Sequence, residues 1–234
     1  MAGCSSTKNI YKTPKGMTFI PPGELTVFED STRKTISING FWMSNEITNK
    51  EFREFVTELK NNPDSVIYLT SKNQKMNFSK LKYSEISCDI IDYSVWDGFD
   101  DFEDYFYDKK FDNYPVVGIT NMAAQYYCLW RSRKELNKTD VYTGFRLPLE
   151  EEWKYAALGN SSEFPKENSN TEILPVNKGQ KNDFGLINMN ANVAEFVNSD
   201  KCEDCVIIIG NSWKENQNKE LKSLKPENHR DNAT

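Results

Sequence analysis

Apolar residues in this sequence occur only in short groups, which limits the kind of fold that the chain can form. The longest uninterrupted aliphatic run is Val206–Ile209, whereas a helix that crosses a bilayer needs about 20 apolar residues. Turn-forming residues separate the groups, as in Pro21-Pro22-Gly23 and Asn61-Asn62-Pro63. We therefore expect a chain that does not cross a membrane and that folds into short helices and short strands joined by many turns.

The length and charge of the chain narrow the class of protein. A chain of 234 residues is long enough for one domain with its own core. We assign residues 14–234 to that domain and residues 1–13 to an N-terminal tether. Acidic residues outnumber basic ones by 35 to 29, and the formal net charge is −6. A nucleic-acid-binding protein needs a basic face against the phosphates, so we exclude nucleic acid as a partner.

The sequence contains one histidine, His229. A Ser-His-Asp relay would depend on that single residue, and a zinc or iron centre with several histidines cannot be built from it. Most familiar hydrolase and oxygenase mechanisms are therefore excluded.

Three segments carry signals for helices. Thr48-Asn49-Lys50-Glu51 matches a capping box, a second helix is expected from Thr120, and a third is expected after Pro148. Three glutamates follow Pro148, and we interpret them as helix-start residues favoured by the helix dipole rather than as catalytic groups. The apolar residues that we expect to face the core are Phe52, Phe55, Val56 and Leu59, then Ala123, Ala124, Tyr127 and Trp130, and finally Trp153, Ala156 and Ala157. Cys128, on the second helix, is expected to be a buried thiol.

The sequence signals for strands are weaker than those for helices. Turn residues frame Met17–Ile20, which reads as a short strand. Ile36 and Ile38 alternate with polar residues and lead into Phe41-Trp42, and we interpret this whole stretch as one second strand.

The stretch of about 83–114 is both acidic and aromatic. From Glu85 to Asp112 there are ten acidic residues against two lysines, and ten aromatic residues lie between Tyr83 and Tyr114. One interpretation is an irregular insertion whose rings pack beneath it while its acidic groups are solvated. The other is a recognition surface with aromatic anchors, for which a basic or calcium-containing partner would be suitable.

The five cysteines leave at least one thiol outside any internal disulfide. The start Ala2-Gly3-Cys4 and the polar residues after it resemble the lipobox of bacterial lipoproteins, which implies that Cys4 carries lipid. Cys202-Glu203-Asp204-Cys205 has the C-x-x-C spacing but no second pair to complete a zinc site. We predict a disulfide between Cys202 and Cys205 in an oxidising compartment. The alternatives are free thiols, pairing with Cys88 or Cys128, and a redox or metal-binding role.

Several blocks carry a resemblance to a known family. They are Phe41–Asn49, Tyr114–Thr120 with Ala123–Trp130, Phe145–Ala157, Asn182–Phe196 and Gly210–Trp213. Together and in this order they resemble the formylglycine-generating-enzyme superfamily, also called the sulfatase-modifying-factor domain. The resemblance implies an α+β domain related to the C-type-lectin fold, with short helices, short strands and much ordered loop.

Within that superfamily, the acidic aromatic stretch that leads into Asp112–Gly118 is most similar to outer-membrane lipoproteins of gliding motility and type IX secretion. Those lipoproteins are structural parts of a machine rather than enzymes. The resemblance thus implies a lipid anchor in a bacterial outer membrane, on either its periplasmic or its surface face. It also implies that the partners are other outer-membrane or periplasmic proteins of a multi-protein complex.

The chemistry of the active superfamily members is not expected here. Those enzymes bind copper through two cysteines downstream of a Gly-Gly-Ser-Trp block, and no cysteine follows Trp213 in this sequence. Thiolates are the ligands that Cu(I) selects. The branch that forms carbon–sulfur bonds with iron needs several histidines. We therefore predict a pseudoenzyme with neither copper nor catalytic residues.

A structural calcium ion is the cofactor that the resemblance implies. Its ligands in this sequence would be the Asn188 side chain, the carbonyl groups of Ala191 and Val193, and the Glu195 carboxylate. Hard oxygen ligands are what Ca²⁺ prefers. The alternative is that Asn188 and Glu195 only form hydrogen bonds with loop amides.

The sequence thus predicts a non-catalytic structural or docking lipoprotein of a bacterial outer-membrane assembly, of the secretion or gliding-motility type. One alternative is a cysteine-oxidising or peptide-modifying enzyme that uses Cys202 and Cys205. The other is a calcium-dependent lectin-like or peptide-binding surface module.

Overall fold

A computed structural model of the protein describes residues 13–29, 32–69, 79–82, 90–96, 104–139, 144–161, 172–199 and 206–212. Cys4, Cys88, Cys202 and Cys205 lie outside these residues, as does Trp213. The predicted lipidation and the predicted disulfide therefore lie outside the described residues.

Short antiparallel strand pairs account for the β structure of the described residues. The pairs are β1 (Met17–Ile20) with β4 (Phe41–Ser44), β2 (Gly23–Glu29) with β3 (Thr32–Ile38), β5 (Val66–Leu69) with β6 (Ser79–Lys82), and β7 (Glu195–Asn198) with β8 (Val206–Ile209). The strand predicted at 17–20 is confirmed as β1. Each pair is a separate two-stranded unit, so every pair depends on contacts with other elements to stay folded.

The prediction of one continuous strand over 36–42 is wrong. β3 ends at Ile38 and pairs with β2, whereas β4 begins at Phe41 and pairs with β1. Gly40 lies between the two strands, and a Cβ atom on it would be 3.0 Å from Cζ of Phe19. The chain changes partners at this point because a residue without a side chain lets it pass close to the Phe19 ring.

The first predicted helix is confirmed as α1 (Asn49–Asn61). The Glu51 N–H donates to Thr48 Oγ1 at 3.2 Å, and the Thr48 N–H donates back to Glu51 Oε2 at 3.0 Å, which completes the capping box. The helix ends before the turn of Asn62 and Pro63, as expected. All four residues predicted to face the core are buried, namely Phe52, Phe55, Val56 and Leu59.

The second predicted helix is confirmed as α2 (Asn121–Thr139). It begins after Thr120, whose Oγ1 accepts a hydrogen bond from the Ala123 N–H at 3.2 Å. The residues predicted to face the core are buried here as well, namely Ala123, Ala124, Tyr127 and Trp130. No helix in the described residues has the length and the hydropathy of a membrane span.

The third predicted helix is confirmed as α3 (Glu150–Leu158). The Glu152 carboxylate accepts a hydrogen bond from the Leu149 N–H at 2.8 Å and binds Arg146 through both oxygens. Leu149 has no side-chain acceptor, so only half of a capping box forms. Glu152 thus stabilises the start of the helix, as the sequence indicates. Trp153, Ala156 and Ala157 are buried as predicted.

Three apolar clusters form the core of the described residues. The first joins α1 to α2, and its buried members include Phe52, Phe55, Tyr127, Trp130 and Phe196. The second packs α3 against the β7–β8 and β1–β4 pairs through Ile20, Trp153, Leu186, Val197 and Ile207. The third lies under the acidic aromatic stretch and includes Val95, Trp96, Tyr105, Phe111 and Val193. The loop before β7 contributes Met189 to the second cluster and Val193 to the third.

The acidic aromatic stretch is described at 90–96 and from 104 onwards. Tyr105, Phe106 and Phe111 are buried, which confirms for these rings that they pack beneath the stretch. Tyr93 and Tyr107 are instead about half exposed, at 49% and 54%, and their rings are stacked. The stretch thus divides into rings that build the core and a tyrosine pair that faces solvent.

Candidate functional site

The loop just before β7 has an unusual backbone with three buried asparagines at alternate positions. Asn188, Asn190 and Asn192 have φ values of 60°, 66° and 69° and are each less than a tenth exposed. Residues other than glycine rarely adopt this left-handed backbone conformation, and asparagine is among the few that tolerate it. The alternating asparagines therefore bend the chain tightly and point polar side chains inward.

Asn192 connects this loop to a neighbouring segment. Its Oδ1 accepts a hydrogen bond from the Leu174 N–H at 2.8 Å, and its Nδ2 donates to the Leu174 carbonyl at 3.1 Å. The same Nδ2 donates to Glu46 Oε1 at 2.9 Å. These bonds determine which end of the amide is nitrogen, because a carbonyl and a carboxylate can only accept.

Glu46 lies in the loop between β4 and α1, which reaches across to the asparagine loop. Asn45 Oδ1 accepts a hydrogen bond from the Ile187 N–H at 3.1 Å, which anchors the two loops together. The second oxygen of Glu46, Oε2, lies 3.4 Å from Asn188 Nδ2. One carboxylate thus accepts from two asparagine side chains of the loop.

Glu195 is the first residue of β7, and its carboxylate accepts a hydrogen bond from Nε1 of Trp153. The carboxyl groups of Glu46 and Glu195 are enclosed by protein although part of each residue reaches the surface. Burial and the charge of Glu195 raise the pKa of Glu46 well above its ordinary value, while bonds from Asn192 and Asn188 oppose the shift. Burial likewise raises the pKa of Glu195, against the bond from Trp153.

These two carboxyl groups repel each other, and no lysine or arginine of the described residues forms an ion pair with either of them. Uncompensated charge in an enclosed site is costly. A bound cation would lower that cost, and the surrounding oxygen ligands are of the kind that Ca²⁺ takes.

Gly179 forms a close-fitting support for Asn188. A Cβ atom on Gly179 would lie 1.8 Å from Asn188 Oδ1, so only a residue without a side chain fits at this position. The φ of Gly179 is +118°, which also favours glycine. The Asn188 amide is therefore held between Gly179 on its oxygen side and Glu46 on its nitrogen side.

The predicted calcium ligands lie in this loop, and the structure shows the state of each. Asn188 and Val193 are buried, whereas Ala191 and Glu195 are partly exposed. The Ala191 carbonyl accepts a hydrogen bond from the Val193 N–H at 2.9 Å and keeps a second lone pair. These hard oxygen atoms, beside two carboxylates that form no ion pair with a described lysine or arginine, are of the kind that suits a calcium ion. The described residues hold no cluster of three or more His, Cys, Asp or Glu that could hold a metal ion, so a calcium ion here would depend on amide and carbonyl oxygens as well as on carboxylates.

A cavity of about 330 Å³ adjoins Glu46 and Glu195. Cys128 lines it and is partly exposed, rather than buried as the sequence predicts. The protein that surrounds the sulfur still desolvates it and raises the pKa of the thiol to about 12, against the nearby charges of Arg131 and Arg146. Arg131 donates to the Lys15 carbonyl at 3.0 Å, and Arg146 is held by Glu152 at the start of α3. The two arginines on this side of the cavity are thus engaged in structural contacts.

Glu46, Asn192 and Gly179 were not among the predicted site residues. Glu46 lies in one of the resembling blocks, but no local pattern distinguishes it from an ordinary helix-start acid. Its partner Asn192 lies 146 positions away in the sequence, so only the folded chain reveals the contact.

The fold and the site together define an α+β domain of short elements that meet at an asparagine-rich loop. The family profile described as "Sulfatase-modifying factor enzyme 1-like domain" matches residues 5–233, and the chain belongs to this family.

The chain is also similar to a Bos taurus protein named "Inactive C-alpha-formylglycine-generating enzyme 2". The two are 26% identical over 203 residues, which cover 71% of this chain and 63% of that relative. The match therefore spans less than two thirds of the relative's length.

Proposed function

We propose that the protein is a non-catalytic member of this family that acts as a structural or docking component of a bacterial outer-membrane assembly, anchored by lipid on Cys4. The name of the bovine relative, an inactive enzyme, is compatible with a member that does not catalyse. The secretion or gliding-motility setting rests on the sequence resemblance of the stretch before Gly118.

The observation that carries this proposal is the state of the groups around the cavity. A thiol nucleophile needs a pKa near or below neutral, and the pKa of Cys128 is instead raised to about 12. Arg146 and Glu152 bind each other through two hydrogen bonds of 2.7 and 2.6 Å. Arg146 and Glu152, which a catalyst would keep available, are used here to hold the start of α3.

Copper titration with measurement of oxygen consumption tests the absence of catalysis. We expect no stoichiometric copper binding and no oxygen uptake with a cysteine-containing peptide as substrate. Copper-dependent turnover that is lost in a C202S variant, and retained in a C128S variant, would instead support the enzyme alternative.

The exposed tyrosine pair supports a docking role. Tyr93 and Tyr107 are stacked with their hydroxyl oxygens 3.1 Å apart, and half-exposed aromatic residues are typical anchors of protein interfaces. Protein isolated from its native envelope should co-purify with a defined partner, and a Y93S/Y107S variant should lose it. M122S is the matched control, because Met122 is also an exposed apolar side chain. Recovery of a monomer with no partner would contradict the proposal.

The lipid anchor has its own test. Intact-mass measurement of protein extracted from its native membrane should show the added mass of lipid on Cys4, and a C4S variant should lack it. An unmodified wild-type mass would contradict the anchor but would leave the docking proposal standing.

A further part of the proposal is a structural calcium ion, bound at the loop that contains Asn188, Asn190 and Asn192. Asn188, Ala191, Val193 and Glu195 would hold it, and the ion would offset the repulsion between Glu46 and Glu195. When bound, calcium supplies positive charge and links the loop to β7. Added calcium should raise the melting temperature by about 5–10 °C at a free concentration of 100 times Kd. The E195Q variant should lose this shift.

Chelation distinguishes a structural ion from a ligand-binding one. For a structural ion, chelation lowers the melting temperature but leaves partner binding intact at low temperature. If chelation abolished binding to a sugar or peptide while the fold persisted, the lectin-like alternative would be supported.

A further inference from the structure

We propose that Glu46 is a positioning residue for the calcium ion, because it holds the Asn188 amide with its nitrogen toward Glu46 and so leaves the amide oxygen as the end that can ligate the cation. This inference rests on the proposed calcium site. It assigns a role to a residue of a different loop, which none of the predicted ligands belongs to.

The chemistry of the two side chains sets the orientation. An asparagine amide has a donor end and an acceptor end of nearly equal size, whereas an ionised carboxylate only accepts. Asn188 Nδ2 lies 3.4 Å from Glu46 Oε2, so the nitrogen occupies the side that faces Glu46. The oxygen then faces away from Glu46, against Gly179, where a Cβ atom would be only 1.8 Å from it. A flipped amide would place oxygen against carboxylate and would present the cation with an N–H₂ group.

Glu46 is itself held in place by a chain of hydrogen bonds. Asn192 Nδ2 donates to Glu46 Oε1 at 2.9 Å, and Leu174 binds both ends of the Asn192 amide. The chain of hydrogen bonds therefore runs from the Leu174 backbone through Asn192 and Glu46 to Asn188. Outer hydrogen-bond partners of metal ligands orient those ligands in just this way, and their removal typically weakens metal binding about 10–100-fold.

The charge of Glu46 acts in the same direction. With a cation bound, the ionised carboxylate of Glu46 would add negative charge beside Asn188, the ligand that it contacts. Calcium affinity rises with the negative charge around its site. Glu46 thus orients a neutral ligand and adds attraction without touching the ion.

The test is calcium titration calorimetry on the full chain, with calcium chloride as the probe. E46Q should bind calcium about 10–100-fold more weakly than the wild type, because a glutamine amide cannot accept from both asparagines. E24Q is the matched control for the same substitution, since Glu24 is exposed on β2. It should bind as the wild type does.

A swapped pair tests whether the contact between positions 46 and 188 is what Glu46 contributes to calcium binding. In the E46Q/N188D double variant, a carboxylate replaces the amide ligand and either of its oxygens can face the ion, so no orientation is needed. The donor–acceptor contact and the net charge are both kept. The double variant should therefore recover calcium affinity to within about threefold of the wild type, a range set by the usual accuracy of such comparisons.

The outcomes distinguish this inference from the proposed calcium site. If the wild type binds no calcium, the site and the inference both fail. If the wild type binds calcium and E195Q does not, but E46Q binds as tightly as the wild type, the inference is overturned and the site stands. If the double variant stays as weak as E46Q, the contact of Glu46 with position 188 is not what supports calcium binding, and orientation is overturned. Should E46Q fail to fold, the affinity of the double variant decides by itself.

Discussion

At the scale of single residues, the asparagine loop shows why one residue type recurs at alternate positions. Asn188, Asn190 and Asn192 share a backbone conformation that few side chains tolerate, yet each amide has different partners. Asn188 meets Glu46, Asn190 accepts from Asn211 at 3.3 Å, and Asn192 binds Leu174. Glycine would satisfy the backbone but would leave buried polar groups without these bonds.

Gly179 provides a prediction at this scale. G179A should lower the free energy of unfolding by about 2–4 kcal/mol, because the new Cβ would collide with Asn188 Oδ1 and the positive φ would be strained. G185A is the control: Gly185 also has a positive φ, of 85°, but nothing lies within 4 Å of its Cβ position. Denaturant unfolding of both variants measures the difference. Equal losses would show that the contact with Asn188 contributes nothing.

Cys128 provides a second prediction. Burial raises the pKa of its thiol to about 12, so at pH 8 it should hold on the order of a thousandfold less thiolate than an ordinary cysteine. Iodoacetamide should therefore label Cys128 very slowly in the folded protein and quickly after unfolding in guanidinium chloride. Mass spectrometry of the peptide that contains Cys128 gives both rates. Similar rates in the two states would contradict the burial of this thiol.

At the scale of secondary-structure elements, the helices begin with side chains that satisfy their first N–H groups. α1 has a complete capping box between Thr48 and Glu51, and the Thr120 hydroxyl caps α2. At α3 only one bond of a capping box forms, from the Leu149 N–H to the Glu152 carboxylate. Arg146 compensates at α3 by holding the Glu152 carboxylate in place. Local sequence therefore sets where each helix starts.

The capping box of α1 gives a third prediction. T48A should lower the free energy of unfolding by about 1 kcal/mol, because the Glu51 N–H would lose its side-chain acceptor. T57A makes the same substitution at an exposed position of the same helix, and it should change stability by less than about 0.5 kcal/mol. Urea unfolding followed by circular dichroism measures both variants. A T48A variant as stable as T57A would show that the cap has no net effect.

At the scale of the whole molecule, side-chain amides join segments that are distant in the sequence. Asn49, at the start of α1, donates to the carbonyls of Tyr105 and Phe111 at 3.4 and 3.1 Å. Asn182 donates to the Ala156 carbonyl at 2.6 Å. A fold with short elements and long loops has many backbone groups outside helices and strands, and such bonds satisfy them.

Asn49 supplies the fourth prediction. N49A should lower the free energy of unfolding by about 2–4 kcal/mol, because two carbonyls of the acidic aromatic stretch would lose a buried donor. N62A is the matched control, since Asn62 is exposed and its side chain donates only within its own helix end, to the Glu58 carbonyl. Amide hydrogen exchange should also become faster around Phe111 in N49A. Unchanged exchange there would contradict the proposed link between α1 and the stretch.

Features of this protein that depend on neighbouring residues are predictable from the sequence, whereas those that depend on distant partners are not. The three predicted helices and their buried faces are confirmed in the described residues, because capping and 3.6-residue periodicity are local. The second strand was predicted wrongly as continuous over 36–42, because the break depends on which partners β3 and β4 find. Of the candidate site, Asn188 and Glu195 were named through the family resemblance, whereas Glu46 was not.

The sequence by itself determined the family, the helices and the short, turn-rich character of the chain, because these depend on neighbours within a few positions or on blocks that can be compared directly. Only the tertiary structure decided that Glu46 meets Asn188 and Asn192, and that Gly179 supports the Asn188 amide. Those contacts join segments up to 146 positions apart. They exist only after burial has brought the loops together, and no local pattern of residues encodes them.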